Sequence, residues 1–278
     1  MRPVTPEVPP EAALAWVPGV RSGTPPLHVE RLLGGSVNDT WRVDSTLGRF
    51  VLRIDGPAWR RPGVDRAREQ ELHSTAAAAG LAPRLLLRAD SAGVQVCEFL
   101  EGRIWNEADF LQPAQIGRLG ERLARLHALQ APAGIAPFDP GASARDYLQI
   151  ISAAGADTGA AAKLLAEIDA AVQCVGEGTT ALAIIHGDLA HGNLLDGTAL
   201  WLLDWEYAQL ADPLYDVACA LAYYPAARPL AARMLAAAGL GEDGGLAARL
   251  AAAIRVYAAL SALWHQARLA EAALKSAP

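Results

Sequence analysis

Cysteine is scarce in this chain of 278 residues, and the three present, Cys97, Cys174 and Cys219, stand far apart with no CxxC pair. That spacing excludes a disulfide framework and a thiolate zinc site and suits reduced, mostly buried thiols. Runs of one charge sign are missing too. The 24 Lys and Arg face 30 Asp and Glu, for a net charge of −6 and a pI near 5.5. With no basic run and an acidic balance, general binding to nucleic acid or an anionic membrane is disfavoured. Aromatics are only 6% and charged residues 19%, against 52% hydrophobic residues and a mean hydropathy of +0.16. That apolar share excludes disorder for the bulk of the chain and allows a large core. The N-terminus lacks an apolar h-region and carries Pro3, Pro6, Pro9, Pro10 and Pro18, so no targeting segment is expected. Leu246 to Trp264, the most apolar stretch, is broken by Arg249 and Arg255 and is expected to fall short of the ~18 apolar residues of a membrane span. The simplest location is the cytoplasm.

Residues 1–26 read as an N-terminal extension with one short helix at Glu11–Trp16. Three runs rich in Val, Leu and Trp follow: Leu27–Leu33, Val37–Val43 and Arg49–Ile54. Gly34-Gly35 and Thr46-Leu47-Gly48 separate them, which predicts antiparallel strands joined by tight turns. Val64–Ala79 is Ala-rich, charged early and closed by Gly80 and Pro83, the pattern of a helix. Strands Arg84–Arg88 and Val94–Leu100 complete a five-stranded unit with one inserted helix, 27–101. The boundary falls near Glu101–Trp105, and 102–278 is mainly helical. Pro113 opens a helix in which Ile116, Leu119, Leu123 and Leu126 form one buried stripe. Further helices are predicted over Ser143–Ala153, Gly159–Val175, Pro213–Tyr224, Pro229–Ala238 and Gly245–Ala272. The exception is Ile184–Trp205, where two short β-type runs flank the sequence HGDLAHGN. The fold class is α+β.

The segment richest in chemistry runs from His186-Gly187-Asp188 to Asn193 and on to Asp204-Trp205-Glu206. Asp188 and Asn193 are 5 residues apart, and Asn193 and Asp204 are 11 apart. A kinase catalytic loop has this arrangement: an Asp that takes the hydroxyl proton, an Asn that binds a metal, and a second metal-binding Asp beyond a hairpin. Phosphoryl transfer needs a carboxylate near the acceptor oxygen, and Mg²⁺ prefers hard oxygen ligands. Asp188 is therefore the candidate base, with Asn193 and Asp204 the candidate metal ligands. The plain alternative, a turn with a capping Asn, leaves both spacings unaccounted for.

HGDLAHGNLL followed by LLDWEYAQLADPLYDVA resembles the aminoglycoside phosphotransferase and choline kinase superfamily, most of all bacterial choline/ethanolamine kinases and thiamine kinase. The resemblance runs from about Leu27 to Trp264. It implies a bilobal, protein-kinase-like fold with ATP and Mg²⁺ between a small five-stranded N-lobe and a larger helical C-lobe. It implies that Gly34-Gly35-Ser36-Val37-Asn38 is the phosphate loop, with Gly35, Ser36 and Asn38 at the nucleotide. Arg53 takes the β3 position and pairs with a helix carboxylate, Glu69 or Glu71. Glu98-Phe99-Leu100 resembles the hinge that meets the adenine. His127 is expected to cap its helix, His186 to brace the loop, and Asp216 to hold the loop by backbone hydrogen bonds. Asp212-Pro213 reads as a helix start. His191 stands where relatives often have Pro.

The implied activity is ATP- and Mg²⁺-dependent phosphorylation of a small cationic or zwitterionic alcohol of the choline or ethanolamine kind. Aromatic faces and carboxylates attract such cations, which nominates Glu206, Tyr207, Tyr223 and Trp264, with Tyr257 on the same helix face as Trp264. Eukaryotic choline kinases carry a cation-binding glutamate about 19 residues after the metal Asp, and here that position is Tyr223. Thiamine kinase, an aminoglycoside-type phosphotransferase and a catalytically silent kinase-fold module remain alternatives. A protein kinase is disfavoured, because DWE replaces DFG and no APE-like segment follows. The acceptor alcohol, the choice of ATP or GTP and the oligomeric state stay open.

Overall fold

Period-two alternation of apolar and polar side chains organises the first sheet. The structure is a computed structural model that describes residues 8–32, 38–56, 63–176, 181–241 and 245–276. Its contacts divide the chain into two compact units, Met1–Trp105 with Gly192–Glu206, and Asn106–His191 with Tyr207–Pro278. In the first unit, α1 (Glu11–Leu14) precedes β1 (His28–Arg31), β2 (Asp39–Ser45) and β3 (Gly48–Ile54). Helix α2 (Arg66–Ala78) leads to β4 (Leu85–Ala89) and β5 (Val94–Glu98). The five strands are antiparallel neighbours in the order β1-β2-β3-β5-β4.

Trp41 pairs with Leu52 and Leu52 with Val96, and all three are fully buried. With Val43, Phe50 and Val94 they form an apolar face, and Ala13, Leu14, Val17 and Val20 pack into the same cluster. The stretch read as an extension thus covers one side of the sheet. Side chains alternate between the two faces of a strand. The opposite face therefore carries Arg53 opposite Gln95, and Cys97 opposite Val51. Residues 192–206 join this unit rather than the helical one. Strand β6 (Arg103–Ile104) pairs with β8 (Leu194–Asp196), and β8 with β9 (Leu200–Leu202). The Leu202 N–H also donates to the Leu81 carbonyl at 2.9 Å. Two-residue β6 is too short to leave a periodic signal in the sequence.

The second unit is helical: α3 (Pro113–His127), α4 (Pro140–Ala153), α5 (Gly159–Gly176), α6 (Leu214–Tyr223), α7 (Ala231–Ala237) and α8 (Leu246–Ser276). Strand β7 (Ala183–Ile185) pairs antiparallel with β10 (Gln209–Ala211). The expected stripe of α3, Ile116, Leu119, Leu123 and Leu126, is fully buried. Helix α4 starts three residues before its expected start because Asp139 caps it, accepting from the Ala142 N–H at 2.9 Å, with Pro140 in the first turn. At the start of α6 the Asp212 carboxylate accepts from the Leu214 N–H at 2.8 Å. Helix α8 is long and apolar enough to cross a membrane, contrary to the expectation from its two arginines. Half of its apolar window is buried, and it packs on α4, α5 and α6, as a core helix does.

Helices α3 and α7 approach closely at Gly120, where a Cβ would stand 2.6 Å from the Ala237 methyl and 2.8 Å from the Met234 carbonyl oxygen. Helix propensity alone would make Gly120→Ala a gain of about 1 kcal/mol. Overpacking against backbone costs about 1–3 kcal/mol and is expected to win. Denaturant unfolding should show a net loss of stability; a gain would contradict the close approach.

Candidate active site

The hairpin of β8 and β9 gives the spacing between Asn193 and Asp204 its meaning. Leu194 pairs with Leu202, and the Leu203 N–H donates to the Asn193 carbonyl at 2.8 Å. Asn193 and Asp204 therefore stand together at the hairpin's open end. Asp204 has φ 59°, the one non-glycine residue in the left-handed region among the described residues. Its side chain is 33% exposed. The next residue, Trp205, is buried, donates from Nε1 to the Leu202 carbonyl at 3.0 Å and stacks on His73 of α2 with centroids 6.1 Å apart.

Arg53 reaches this segment from β3. Its Nη1 donates to Asp204 Oδ1 at 3.1 Å, and its Nη2 donates to Glu69 Oε1 at 2.6 Å and to Gln95 Oε1 at 3.0 Å. Glu71 is exposed, so Glu69 is the partner left open by the sequence. Burial alone would lower the Arg53 pKa; Glu69, Asp204, Glu206 and Asp55 outweigh it and raise it instead. Burial likewise works against an ionised Glu69, but Arg53 and Arg66 hold its carboxyl below the ordinary value. Arg66 donates to Glu69 Oε2 at 2.6 Å.

Two residues expected at ligands have other employment. The Asn38 amide is buried, donating to Glu206 Oε2 at 3.1 Å and accepting from the Gly56 N–H at 3.3 Å. It is a strut and not an open phosphate contact. Glu206 is 4% exposed, and its Oε2 also accepts from Arg66 at 3.2 Å. Its carboxylate is committed to the buried network of the first unit, which corrects the expectation that it meets an acceptor cation. Gly35 and Ser36 lie outside the described residues. In the hinge stretch, the Glu98 N–H donates to the Arg84 carbonyl and the Phe99 N–H to the Arg49 carbonyl, at 3.0 and 3.1 Å. Arg84 N–H also donates to the Glu98 carboxylate at 2.8 Å. The Phe99 ring lies under Arg42 at 4.9 Å and Arg49 at 5.7 Å. Leu100 is the residue of the three whose N–H has no partner among the described residues.

In the second unit one face of α6 holds the loop that carries Asp188. Asp216, fully buried, accepts from the His186 N–H at 3.1 Å and the Gly187 N–H at 2.9 Å. His127 Nε2 lies 2.9 Å from the same carboxylate, so this histidine does more than cap α3. One turn on, Cys219 accepts from the Leu189 N–H at 3.3 Å, with its thiol 3.6 Å from the Gly187 carbonyl. Burial pushes that thiol well up, so it stays protonated and can donate. Another turn on, the Tyr223 hydroxyl donates to Asp188 Oδ1 at 3.0 Å. Burial and then the Asp188 carboxylate push the Tyr223 phenol up, keeping it a donor. Residues 216, 219 and 223 follow the i, i+3, i+7 rule of one helix face. Tyr224 completes the grip, its hydroxyl accepting from the His191 N–H at 2.6 Å while its ring stacks on Phe110 at 3.9 Å. His186 is fully buried, with Nδ1 3.3 Å from the Asp188 N–H, a brace as expected. Gly187 has φ 75°, and a Cβ there would stand 2.6 Å from the Tyr207 carbonyl oxygen, so a side chain does not fit.

Of the expected acceptor aromatics, Tyr223 is the one bonded to Asp188. Tyr207 is half-buried beside the loop. Trp264 has the guanidinium of Arg268 at 4.8 Å from its ring centre and His265 at 4.7 Å. Tyr257 is buried edge-on to Tyr215 at 5.8 Å, a core position. The sequence reading missed Arg66, Gln95 and Cys219; helical spacing from Glu69 and Asp216 would have pointed to the first and last. Among the described residues no cluster of three or more His, Cys, Asp and Glu gathers around one point. Asn193 and Asp204 instead suit a cation that takes most ligands from water and phosphate, as Mg²⁺ does.

A model of a phosphotransferase enzyme family, APH, matches residues 28–253. A choline/ethanolamine kinase family protein from Mesorhizobium loti superposes with a TM-score of 0.74 at 26% identity, covering 96% of this chain and 94% of its own. Choline kinase LicA from Streptococcus pneumoniae gives 0.73 at 18% identity over 88% and 86% of the two chains, and its complex with AMP has also been solved. Macrolide 2'-phosphotransferase MphH from Brachybacterium faecium gives 0.58 at 20% identity over 92% and 96%. A search of curated proteins finds no match. The likeness identifies the α+β architecture as the protein-kinase-like fold.

Two outcomes follow from the buried carboxylates. Asp216→Asn turns an NH₂ toward backbone donors and should cost about 1–3 kcal/mol in denaturant unfolding, the cost of leaving buried groups unsatisfied. Glu69 is held ionised below its ordinary value of 4.5, so its pairs stabilise the fold above 4.5 and lose that contribution as pH falls through the lowered value. Glu69→Gln should therefore be less stable than the parent at neutral pH, with the gap closing in acid; a gap independent of pH would contradict the pairing.

Proposed function

The chain belongs to the phosphotransferase enzyme family and is a small-molecule kinase; on that premise we propose that it moves the terminal phosphoryl group of ATP to the hydroxyl of a small cationic or zwitterionic alcohol of the choline or ethanolamine class. The observation that carries the reading is the complete set of Asp188, Asn193, Asp204 and the Arg53–Glu69 pair. Loss of any one would favour a silent binding module. The acceptor class draws its support from relatives named as choline and ethanolamine kinases.

In this reading Asp188 takes the proton of the acceptor hydroxyl as that oxygen bonds to phosphorus and the bond to the ADP oxygen breaks. The Tyr223 hydrogen bond orients the carboxylate, and the loop peptides gripped by Asp216 and Cys219 keep it from swinging. Arg53, always charged, balances phosphate charge. Asn193 and Asp204 would hold Mg²⁺, which when bound neutralises charge on the phosphate oxygens. The Leu100 N–H is the hinge donor open to an adenine. With Glu206 engaged elsewhere, recognition of the acceptor charge falls to aromatic groups such as Tyr223, each worth about 0.5–2 kcal/mol toward a cation.

A panel of choline, ethanolamine, thiamine, an aminoglycoside and a macrolide in a coupled ADP-release assay tests the acceptor class; preference for an antibiotic would replace it. Asp188→Asn should lower kcat by about 10²–10⁴ while ATP affinity holds, and retention of a tenth of the activity would remove it as the base. Asn193→Ala and Asp204→Ala should both raise the Mg²⁺ requirement, Asp204→Ala the more because it removes charge. Rate measured against Mg²⁺ at fixed ATP decides this.

A further inference from the structure

Arg66 stands in a place that disfavours it. It opens α2, where the helix dipole is positive, and its side chain is only 7% exposed. A guanidinium buried there needs partners. It has three carboxylates from three segments: Asp55 after β3 at 3.1 Å, Glu69 of α2 at 2.6 Å and Glu206 after β9 at 3.2 Å. Two of these contacts close a circuit. Asp204 bonds Arg53, Arg53 bonds one oxygen of Glu69, Arg66 bonds the other, and Arg66 bonds Glu206. Glu206 returns to Asp204 through Trp205 along the chain. Charges alternate from Asp204 to Glu206, where the chain closes the ring between two carboxylates, and the three carboxylates and two guanidiniums leave one net negative charge.

We propose that Arg66 is a positioning residue for metal-bound nucleotide, closing a ring that fixes where Asp204 and Arg53 stand. The inference rests on the phosphotransferase reading above and adds to it the group that registers α2 against the metal-binding segment. Neither Arg53 nor Glu69 touches Glu206 directly, so Arg66, with Asn38, ties down the far side of the left-handed residue. Arg88 is an internal control. It is as buried as Arg66 and shares Asp55, but its other partner is Asp90, and it lies off the ring.

Charge and position can be separated. Arg66→Met alone removes a positive charge near the metal ligands, which by Coulomb attraction favours a cation. The double variant Arg66→Met with Glu206→Gln keeps the ring's net charge and removes the tie. Isothermal calorimetry of ATP binding, with and without Mg²⁺, reads the effect without any acceptor. Loss of an outer-shell partner commonly costs 10–100-fold in metal affinity, so the double variant should bind ATP with Mg²⁺ about tenfold more weakly. ATP alone should change little, and Arg88→Met should melt earlier with the Mg²⁺ effect intact. Arg66→Lys keeps the charge without the fork and is expected to lie between parent and double variant; it carries the test should the double variant fail to fold. If the double variant or, in its place, Arg66→Lys binds as the parent does, Arg66 does not position the site. If Arg66→Met tightens Mg²⁺-dependent binding and the double variant restores it, the role is charge alone and positioning is overturned. Should the parent itself bind ATP no better with Mg²⁺, the phosphotransferase reading fails first and this inference with it.

Discussion

The guanidinium of Arg53 is the point on which the first unit's site depends. Its planar fork meets Asp204 with one nitrogen and Glu69 and Gln95 with the other, so one side chain joins β3, α2, β5 and the end of the β8–β9 hairpin. A lysine in that place would offer a single point charge and could not hold the same three acceptors in fixed directions. The chain has only two lysines, Lys163 and Lys275, far from this segment in sequence. Packing keeps the fork in place: the strand face opposite Arg53 is the dry layer of Trp41, Leu52 and Val96 under residues 13–20, so β3 cannot rotate without opening that layer. Burial and charge pairing reinforce each other here, because an unpaired guanidinium at this depth would be prohibitively costly.

The second unit solves a different problem. The loop that carries Asp188 lies outside any helix or strand that would satisfy its peptide groups, so other partners must hold it. Helix α6 supplies the missing partners from one face. Asp216 takes two N–H groups, Cys219 takes another and offers its thiol to a carbonyl, and Tyr223 takes the side chain of Asp188 itself. The loop is thus registered residue by residue against a helix whose own position is set by packing on α8. Tyr223 also settles a chemical question within this face. A carboxylate there would repel Asp188, whereas a phenol donates to it.

The elements and the chemistry-bearing residues were legible in the sequence because both are written as spacing. Apolar runs between turn residues marked β1 to β5, the four-residue stripe marked α3, and the intervals from Asp188 through Asn193 to Asp204 marked the loop. What was illegible is partnership. Asn38 and Glu206 are residue types that bind ligands well, and only the fold reveals that they bind each other. Glu69 and Glu71 differ by two positions on a helix, a rotation of about 200°, and only packing decides which faces Arg53. The grouping of 192–206 with the sheet unit rests on pairing with two-residue β6, too short to show a period, and on contacts to Leu81, Arg53 and His73 that no local pattern announces. Residues 13–20 looked like a proline-punctuated extension because their apolar side chains are few and irregular, yet Ala13, Leu14, Val17 and Val20 find places in the core.

Asp204 shows why these unseen partnerships matter to the chemistry. A left-handed backbone costs a residue with a Cβ about 1–2 kcal/mol, and aspartate tolerates it better than most. The Asp204 side chain is a third exposed, so its Arg53 contact is partly screened and does little to offset that cost. The compensation comes from its neighbour. Burying an indole removes roughly 150–250 Å² from water, worth about 4–6 kcal/mol at ~25 cal/mol per Å². Trp205 is buried to within 1% and can reach His73 and Leu202 only if the chain turns sharply just before it. Glu206 then fastens the exit through Asn38 and Arg66. Strain at Asp204 is therefore held by an apolar anchor on one side and a charged one beyond it, so the fold itself sets this carboxylate in place.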